Sequence, residues 1–406
     1  MDGLNTGDTA WILISTALVL MMTPALGFFY GGMVRRKNIL STLNLSVIMM
    51  GVISIQWVLI GYSLAFGSSV GGLFGGFDHI GLAGITYESM SGSIPTLLFV
   101  AFQMTFAIIT PALITGAFVE RVRFRAYLVF AVLWATFVYD PVCYWVWGGG
   151  MFTDMALFGM PGVHALDFAG GNVVHITAGY SALVFAFMIR KRQGFGTSAI
   201  QPHNITFTVL GAGLLWVGWF GFNGGSALAA DGLAALALIN TNTAAAACMV
   251  VWMLLAWRDE KPSVLGMVTG AVCGLVAITP AAGWVTPMYA LIIGAVAAPI
   301  SYYAINFREH RGWDESLDVW ACHGMAGTWG ALATGLFASV GAEGLIFGGV
   351  TQFVAQVVSI IVTIAYAVII TYVILKIIDS TIGLSVTEDE EQVGLDISEH
   401  GERAYS

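Results

Sequence analysis

Phe168-Ala-Gly-Gly-Asn-Val-Val-His175-Ile-Thr-Ala-Gly-Tyr-Ser-Ala-Leu-Val-Phe-Ala-Phe-Met-Ile189, ending on Arg190-Lys191-Arg192, is the stretch whose reading settles the architecture. Its 22 apolar-rich residues hold no Asp, Glu, Lys or Arg, and an α-helix needs about 20 such residues to cross the ~30 Å hydrocarbon core of a bilayer. The one imidazole inside it, His175, follows Asp167 by eight residues. A second stretch repeats the arrangement, with His323 eight residues after Glu315. Ionisable side chains at membrane depth cost about 2.5–3.5 kcal/mol on insertion scales and face a cavity or the bundle interior. Two of them in matching settings predict a polar line through a membrane protein.

The rest of the chain has the same texture. Of 406 residues 58% are hydrophobic and 10% charged, with a mean hydropathy of +0.83, whereas a soluble domain carries about 25% charged residues. The expected fold is an all-α polytopic membrane protein of eleven spans. They are placed at Thr9–Gly31, Thr42–Phe66, Ile94–Val119, Ala126–Trp147, Phe168–Ile189, Ile205–Gly225, Thr241–Trp257, Ser263–Ala282, Thr286–Ile305, Leu317–Ala338 and Ile346–Lys376. A β-barrel is excluded, because barrel strands alternate polar and apolar residues over about ten positions.

Basic residues supply the orientation. Arg35-Arg36-Lys37, Arg121, Arg123, Arg125, Arg190-Lys191-Arg192, Arg258, Lys261, Arg308, Arg311, Lys376 and Arg403 all follow an odd-numbered span or lie beyond the last. The positive-inside rule then predicts an external amino terminus and a cytoplasmic carboxy terminus. The start of the chain, with Asp2 and Asp8 and no basic residue, predicts no cleaved signal peptide. Cys143, Cys248, Cys273 and Cys322 are isolated in sequence and indicate neither a zinc site nor a disulfide framework. No metal, cofactor or nucleic-acid partner is expected.

The chain divides into a membrane body, 1–378, and an acidic tail, 379–406. The tail holds Asp379, Glu388, Asp389, Glu390, Glu391, Asp396, Glu399 and Glu402 against Arg403. Such a composition reads by default as a solvated, disordered end. Val393-Gly-Leu-Asp-Ile397 and Ala404-Tyr405 interrupt the acids with contact residues, so a docking segment is the competing reading. Within the body, spans one to five and six to ten read as two related halves. Phe28-Phe-Tyr-Gly-Gly32 ends the first span, and Trp219-Phe-Gly-Phe-Asn-Gly-Gly225 the sixth. Five helices per half means the second half is inverted, an arrangement that puts a substrate path near the midplane. The eleventh span then stands outside the repeat.

Small residues flank both histidines: Gly171, His175 and Gly179 share one helical face, as do His323, Gly327 and Ala331. Such spacing leaves room either for a second helix or for a narrow passage. Facing neutral imidazoles share one hydrogen bond and keep their other edges toward a lumen. A haem held by these histidines is the main competing chemistry, and nothing else in the chain marks a haem cleft. Asp167 and Glu315 read first as helix-capping acids, stabilised by free N–H groups and the helix dipole, with Asp167 the better placed to shape a nearby cation site. Trp145, Trp147, Phe106, Phe222 and Ser226 fall toward the external ends of spans three, four and six. An aromatic cluster holds a small cation with about 0.5–2 kcal/mol, and one hydroxyl favours a cation that donates hydrogen bonds. An enzyme is not expected: the chain has no HExxH, no phosphate loop and no nucleophile–base spacing.

Several motifs together resemble the ammonium transporter (Amt/methylammonium permease/Rhesus) family, prokaryotic Amt type. They are Ala165-Leu-Asp-Phe-Ala-Gly-Gly171 with Val173-Val-His175, Gly218-Trp-Phe-Gly-Phe-Asn-Gly-Gly-Ser226, Phe28-Phe-Tyr-Gly-Gly-Met-Val-Arg35, Val146-Trp-Gly-Gly-Gly150, His323-Gly324, and the tail pattern Gly394 to Glu402 with Ala404-Tyr405. The resemblance implies a homotrimer in the plasma membrane, with one hydrophobic pore per subunit. It implies that Trp147, Phe106 and Ser226 recruit ammonium, or its analogue methylammonium, with Asp167 in support. Phe106 and Phe222 would gate the pore, and His175 and His323 would line it. Ammonium would lose its proton and cross as ammonia, and a PII-type signal-transduction protein would act at the cytoplasmic face. An ammonium sensor with little flux is the alternative, against which the shortness of the tail counts. Tyr144, where relatives often carry His, and Asp140, where an apolar residue is usual, depart from the pattern. Both are expected near the outer vestibule, where they would bear on affinity.

Overall fold

In hydrocarbon no water satisfies the backbone, so each apolar stretch closes its own N–H and C=O groups by forming a helix. The computed structural model describes residues 3–259 and 261–405. Among the described residues nine helices are long and apolar enough to cross a membrane. These are α1 (Thr6–Met33), α2 (Arg36–Phe66), α3 (Thr96–Ala117), α4 (Phe124–Trp147), α5 (Gly171–Met188), α6 (Ile205–Gly225), α7 (Gly232–Arg258), α9 (Pro287–His310) and α11 (Val350–Thr381). Two shorter helical stretches lie among them: α8 (Val264–Ile278) and α10, which runs Trp320–Met325 and continues as Ala326–Phe337. The β-structure among the described residues is limited to two short hairpins in loops, Ser69–Val70 with Phe74–Gly75 and Met90–Ser91 with Ile94–Pro95, and isolated bridges between Val122 and Ser385 and between Met155 and Met160.

Boundaries differ from expectation where polar side chains find partners inside the protein. The seventh helix starts at Gly232, not Thr241, because the buried Asn240 and Thr241 find carbonyls inside the protein for their donor groups. Asn240 Nδ2 donates to the carbonyls of Ala282 (2.9 Å) and Val285 (2.7 Å), and Thr241 Oγ1 donates to Ala237 (2.6 Å). The fifth helix begins at Gly171, three residues after the expected Phe168, since Asp167 caps it there. The third begins at Thr96, the preceding Ile94-Pro95 being a hairpin strand.

α1 lies along α6, with Gly221 facing Leu18 and Ser15 of α1 so closely that a Cβ there would stand 2.7 Å from Leu18 Cβ. Small residues thus do the packing work that no hydrophobic force does between helices in lipid.

The loops rich in Arg meet on one face and are bound by buried ion pairs. Glu120, wholly buried, accepts from Arg35 Nε (2.9 Å) and Arg192 Nη1 (3.2 Å). Asp314 accepts from Arg192 Nη2 (2.7 Å) and Arg121 Nη1 (3.1 Å). The tail docks on this face and is ordered over its described residues. Thr387 and Glu390 form a reciprocal cap for the helix α12 (Glu388–Val393), and the buried Glu391 accepts from Arg190 Nη2 (2.6 Å) and the Gln193 N–H (2.7 Å). Asp396 Oδ1 accepts from the Ser41 N–H (2.8 Å), and Asn38 Oδ1 from the Leu395 N–H (2.9 Å). Gly394, at φ +105°, lets the tail pass Lys37, whose Cβ would stand 2.6 Å from any added side chain. The disordered reading of the tail is therefore corrected. Glu391, Asp396 and Glu399 are spent on specific donors of the body, which offsets the entropy of ordering the tail.

Burial alone would raise the Glu120 carboxyl, and the charges of Arg35 and Arg192 outweigh it and hold its pKa below the ordinary value. A depressed acid stabilises the fold fully above the ordinary glutamate range, about 4.3, and loses that contribution as pH falls through its lower native value. Glu120→Gln is expected to destabilise the purified protein by about 3–5 kcal/mol at pH 7. It should also shrink the drop in thermal midpoint between pH 7 and pH 4; an undiminished drop would show that Glu120 is not part of the acid response.

Candidate functional site

A column of aromatic rings joins an open vestibule to a closed lumen. The vestibule, about 280 Å3, is lined by Phe106, Trp147 and Ser226 together with Gln103, His164 and Phe168. Phe106 meets Trp147 edge to face (6.1 Å between centroids) and overlies Phe222 at 4.2 Å. Phe222 in turn is 6.1 Å from the His175 ring and nearly parallel to it. The two phenylalanines, each about 1% exposed, thus separate the vestibule from the lumen.

Below them the lumen is bounded by apolar residues such as Met22, Leu26 and Ile109, by Trp219, and by both histidines. It is narrow: the space open to the centre of a water-sized sphere is about 10 Å3, on the order of one such sphere. His175 Nδ1 and His323 Nδ1 are 3.2 Å apart, and Trp219 stacks on His175 at 5.5 Å. A hydrogen shared between two Nδ1 atoms requires one donor and one acceptor. With both rings neutral, one Nε2 then carries a proton and the other a lone pair. His175 Nε2 is buried with no protein partner.

Local structure explains how the histidines come to face each other. Each lies in a wide π-helical turn, Gly171–Ile176 and Trp320–Met325, and each turn is capped by an acid five residues ahead of the N–H it holds. Asp167 Oδ2 accepts from the Asn172 N–H (2.7 Å), and Glu315 Oε1 from the Trp320 N–H (2.7 Å). Asp167 also accepts from the N–H groups of Gly170 (2.8 Å) and Gly171 (2.6 Å). Both of its oxygens are thereby taken up by backbone, and it does not line the vestibule. Its own carbonyl accepts from Trp147 Nε1 (2.9 Å), so Asp167 reaches the vestibule by setting the segment that aims Trp147.

The small residues beside the histidines serve helix crossing. A Cβ on Gly179 would run into the backbone of Gly324 and stand 2.9 Å from the His323 carbonyl carbon, and one on Gly327 would stand 2.9 Å from His175 Cβ. Three expectations near the vestibule are corrected. Trp145 turns away to donate to the Leu73 carbonyl (2.6 Å) and packs on Tyr366. Asp140 is wholly buried and held by Gln56 Nε2 at 2.7 Å. Tyr144, also buried, packs under Gly148 and Gly150.

Ser226 Oγ donates its hydrogen to the Phe222 carbonyl (2.8 Å), which leaves it as an acceptor toward the vestibule. Gln103, a vestibule residue that sequence reasoning missed, has a buried Oε1 with no protein partner. An amide inside an otherwise apolar helix was the available signal. The same signal marks Gln356 of α11, whose amide grips both the N–H (2.6 Å) and the carbonyl (2.8 Å) of Leu166 and so fixes the extended run before Asp167.

Residues 10–405 match the model of the Ammonium Transporter Family. This chain belongs to the ammonium transporter family. It is 48% identical to the ammonium transporter of Bacillus subtilis (strain 168), with 99% of each chain covered. Its fold is similar to the crystal structure of Candida albicans Mep2, with a TM-score of 0.88 and 34% identity over 100% of this chain and 91% of that one. It is also similar to a sensor Amt protein, at a TM-score of 0.87 and 27% identity over 97% and 98% of the two chains. The family and the apolar helices make this transporter a multi-pass membrane protein, and the coarse function that goes with the family is ammonium transport.

If the crossing of α5 and α10 sets the histidine pair, Gly179→Val is expected to prevent it. Overpacking of this kind costs about 1–3 kcal/mol or more. Size-exclusion profiles should show loss of monodisperse protein for Gly179→Val and none for Gly213→Val, a position with nothing within 4 Å. Equal behaviour of the two variants would remove the crossing constraint.

Proposed function

We propose that this transporter recruits ammonium in the aromatic vestibule, where the cation gives up one proton to water at the open side, and passes ammonia along the histidine-lined lumen. The observation that carries the reading is the abrupt change of environment across the Phe106–Phe222 pair. Above it, aromatic faces and two hydrogen-bond acceptors suit a cation with N–H donors. Below it, a tube wide enough for about one small molecule offers imidazole edges and hydrocarbon. Removing an ion from water into such surroundings costs several kcal/mol even after relaxation, whereas neutral ammonia can donate to one imidazole Nε2 and accept from the other. Trp147, Phe106 and Ser226 hold the cation, Asp167 positions Trp147, Phe106 and Phe222 act as the gate, and His175 and His323 line the path.

The same proposal takes all eleven helices as crossings, α8 and α10 included, in two inverted sets of five with α11 outside them. The matched acid-capped π turns of α5 and α10 support that repeat. The face gathering the arginines is taken as cytoplasmic, as the positive-inside rule requires. The tail, 379–406, is taken as a regulatory segment beside the inner mouth, whose lining includes Arg192, Ser316 and Asp318. A homotrimer in the plasma membrane, with a PII-type protein acting on that face, completes the reading.

The sensor alternative is favoured by one observation, the similarity to a sensor Amt protein. Flux separates the two. In proteoliposomes, uptake of methylammonium is expected to fall about 5- to 150-fold when His175 or His323 becomes Ala, the value of a buried polar partner lost. A current on an ammonium pulse shows whether the released proton also crosses. Full uptake in both variants would remove the histidines from the mechanism, and no uptake in the unaltered protein would favour the sensor.

A further inference from the structure

Between the tail-side halves of α5 and α11 runs an exposed groove of about 710 Å3 on the outer surface of the helices. Val184 and Phe187 form one wall, and Ile369 and Tyr372 the other. The α11 wall extends from Val368 to Asp379, twelve residues whose eleven rises span about 16 Å of helix. That equals the depth of one leaflet, half of a ~30 Å core. A groove of this length open to the bilayer accommodates acyl chain.

At its tail-side end stand two charges in a fixed order. Lys376 is the deeper and Asp379 lies about 4.5 Å further out along the same face, given the 1.5 Å rise per residue. Both are exposed, and neither forms an ion pair among the described residues. Lys376 Nζ rests 5.7 Å from the centre of the Tyr372 ring at the groove wall, as a snorkelling lysine does. Asp379 makes one long bond, from the Leu384 N–H at 3.4 Å.

We infer that this groove is a phospholipid site selective for an ethanolamine headgroup in the leaflet on the tail's side. In such a lipid the phosphate is attached next to the glycerol and the ammonium lies beyond it on a two-carbon arm. Lys376 meets the phosphate, and Asp379 accepts hydrogen bonds from the ammonium. A glycerol headgroup brings no cation to Asp379. Choline brings one without N–H donors, and serine adds a carboxylate that Asp379 repels. The site stands independently of how ammonium crosses, since neither charge belongs to the vestibule or the lumen.

The test uses the purified full chain, titrated with phosphatidylethanolamine, phosphatidylglycerol and phosphatidylcholine by native mass spectrometry, and a photoreactive phosphatidylethanolamine to locate the site. The unaltered protein is expected to prefer phosphatidylethanolamine about five-fold, the worth of one interfacial charge contact, and to crosslink on α5 and α11. Asp379→Asn should erase the preference while leaving phosphatidylglycerol binding intact. Lys376→Ala should weaken binding of all three lipids at the crosslinked site. Both substitutions lie on an exposed face, so folding is preserved. Equal affinities in the unaltered protein, a preference that survives Asp379→Asn, or no crosslink on α5 and α11 because a second copy covers the groove, would each overturn the assignment.

Discussion

A hydrocarbon surround offers no hydrogen-bond partners, so every polar group placed inside this bundle must be answered by another group of the chain. That constraint orders the whole structure. The backbone answers itself by forming helices, and where a helix must begin late or widen, a side chain takes over. Asp167 and Glu315 each hold the N–H groups that a helix start leaves open. Their grip allows the wide π turns that bring His175 and His323 face to face. Atoms left without a protein partner then acquire meaning. Gln103 Oε1 borders the vestibule and His175 Nε2 lies in the wall of the lumen, the places where a passing N–H compound would supply what is missing.

In the proposed reading, selectivity comes from a sequence of environments more than from any single contact. The vestibule rewards a cation with dispersed aromatic faces and acceptor oxygens, and the lumen penalises charge by its apolar walls and small bore. Ser226 illustrates how little is needed: by giving its hydrogen to the Phe222 carbonyl it becomes an acceptor only. Asp167, a carboxyl beneath this vestibule, is committed to four backbone N–H groups. Its contribution is to hold Trp147 in place through its own carbonyl.

On the opposite face the logic is ionic. Glu391 of the tail binds Arg190 and approaches Arg35 at 3.4 Å, Arg35 binds Glu120, Glu120 binds Arg192, and Arg192 lines a cavity on this face with Ser316 and Asp318. The acids of these pairs are buried while Arg35 and Arg190 are partly exposed, and the value of each pair lies in what a buried acid loses when its partner leaves. A tail held by such a chain of contacts is mechanically linked to the loops at the pore end, which a disordered acidic segment could not be.

Most of the architecture was legible in residue order. Segment length and hydropathy marked the helices, the arginines clustered on one face as their loop positions required, and the matched acid–histidine spacing pointed to the pair. Motif similarity brought Trp147, Phe106, Phe222 and Ser226 together; in the fold Trp147, Phe106 and Ser226 line one cavity and Phe222 lies against Phe106. Three things were beyond reach: the early start of α7, the ordered tail, and the true directions of Trp145 and Asp140. Each depends on a partner remote in sequence, such as Ala282 for Asn240 or Arg190 for Glu391. A sequence determines by itself what cannot face hydrocarbon unpaired, because that cost is a property of each residue type. Which distant group answers it, and so which way the side chain points, is decided when helices pack, because hydrogen bonds and ion pairs depend on distances that only the folded chain defines.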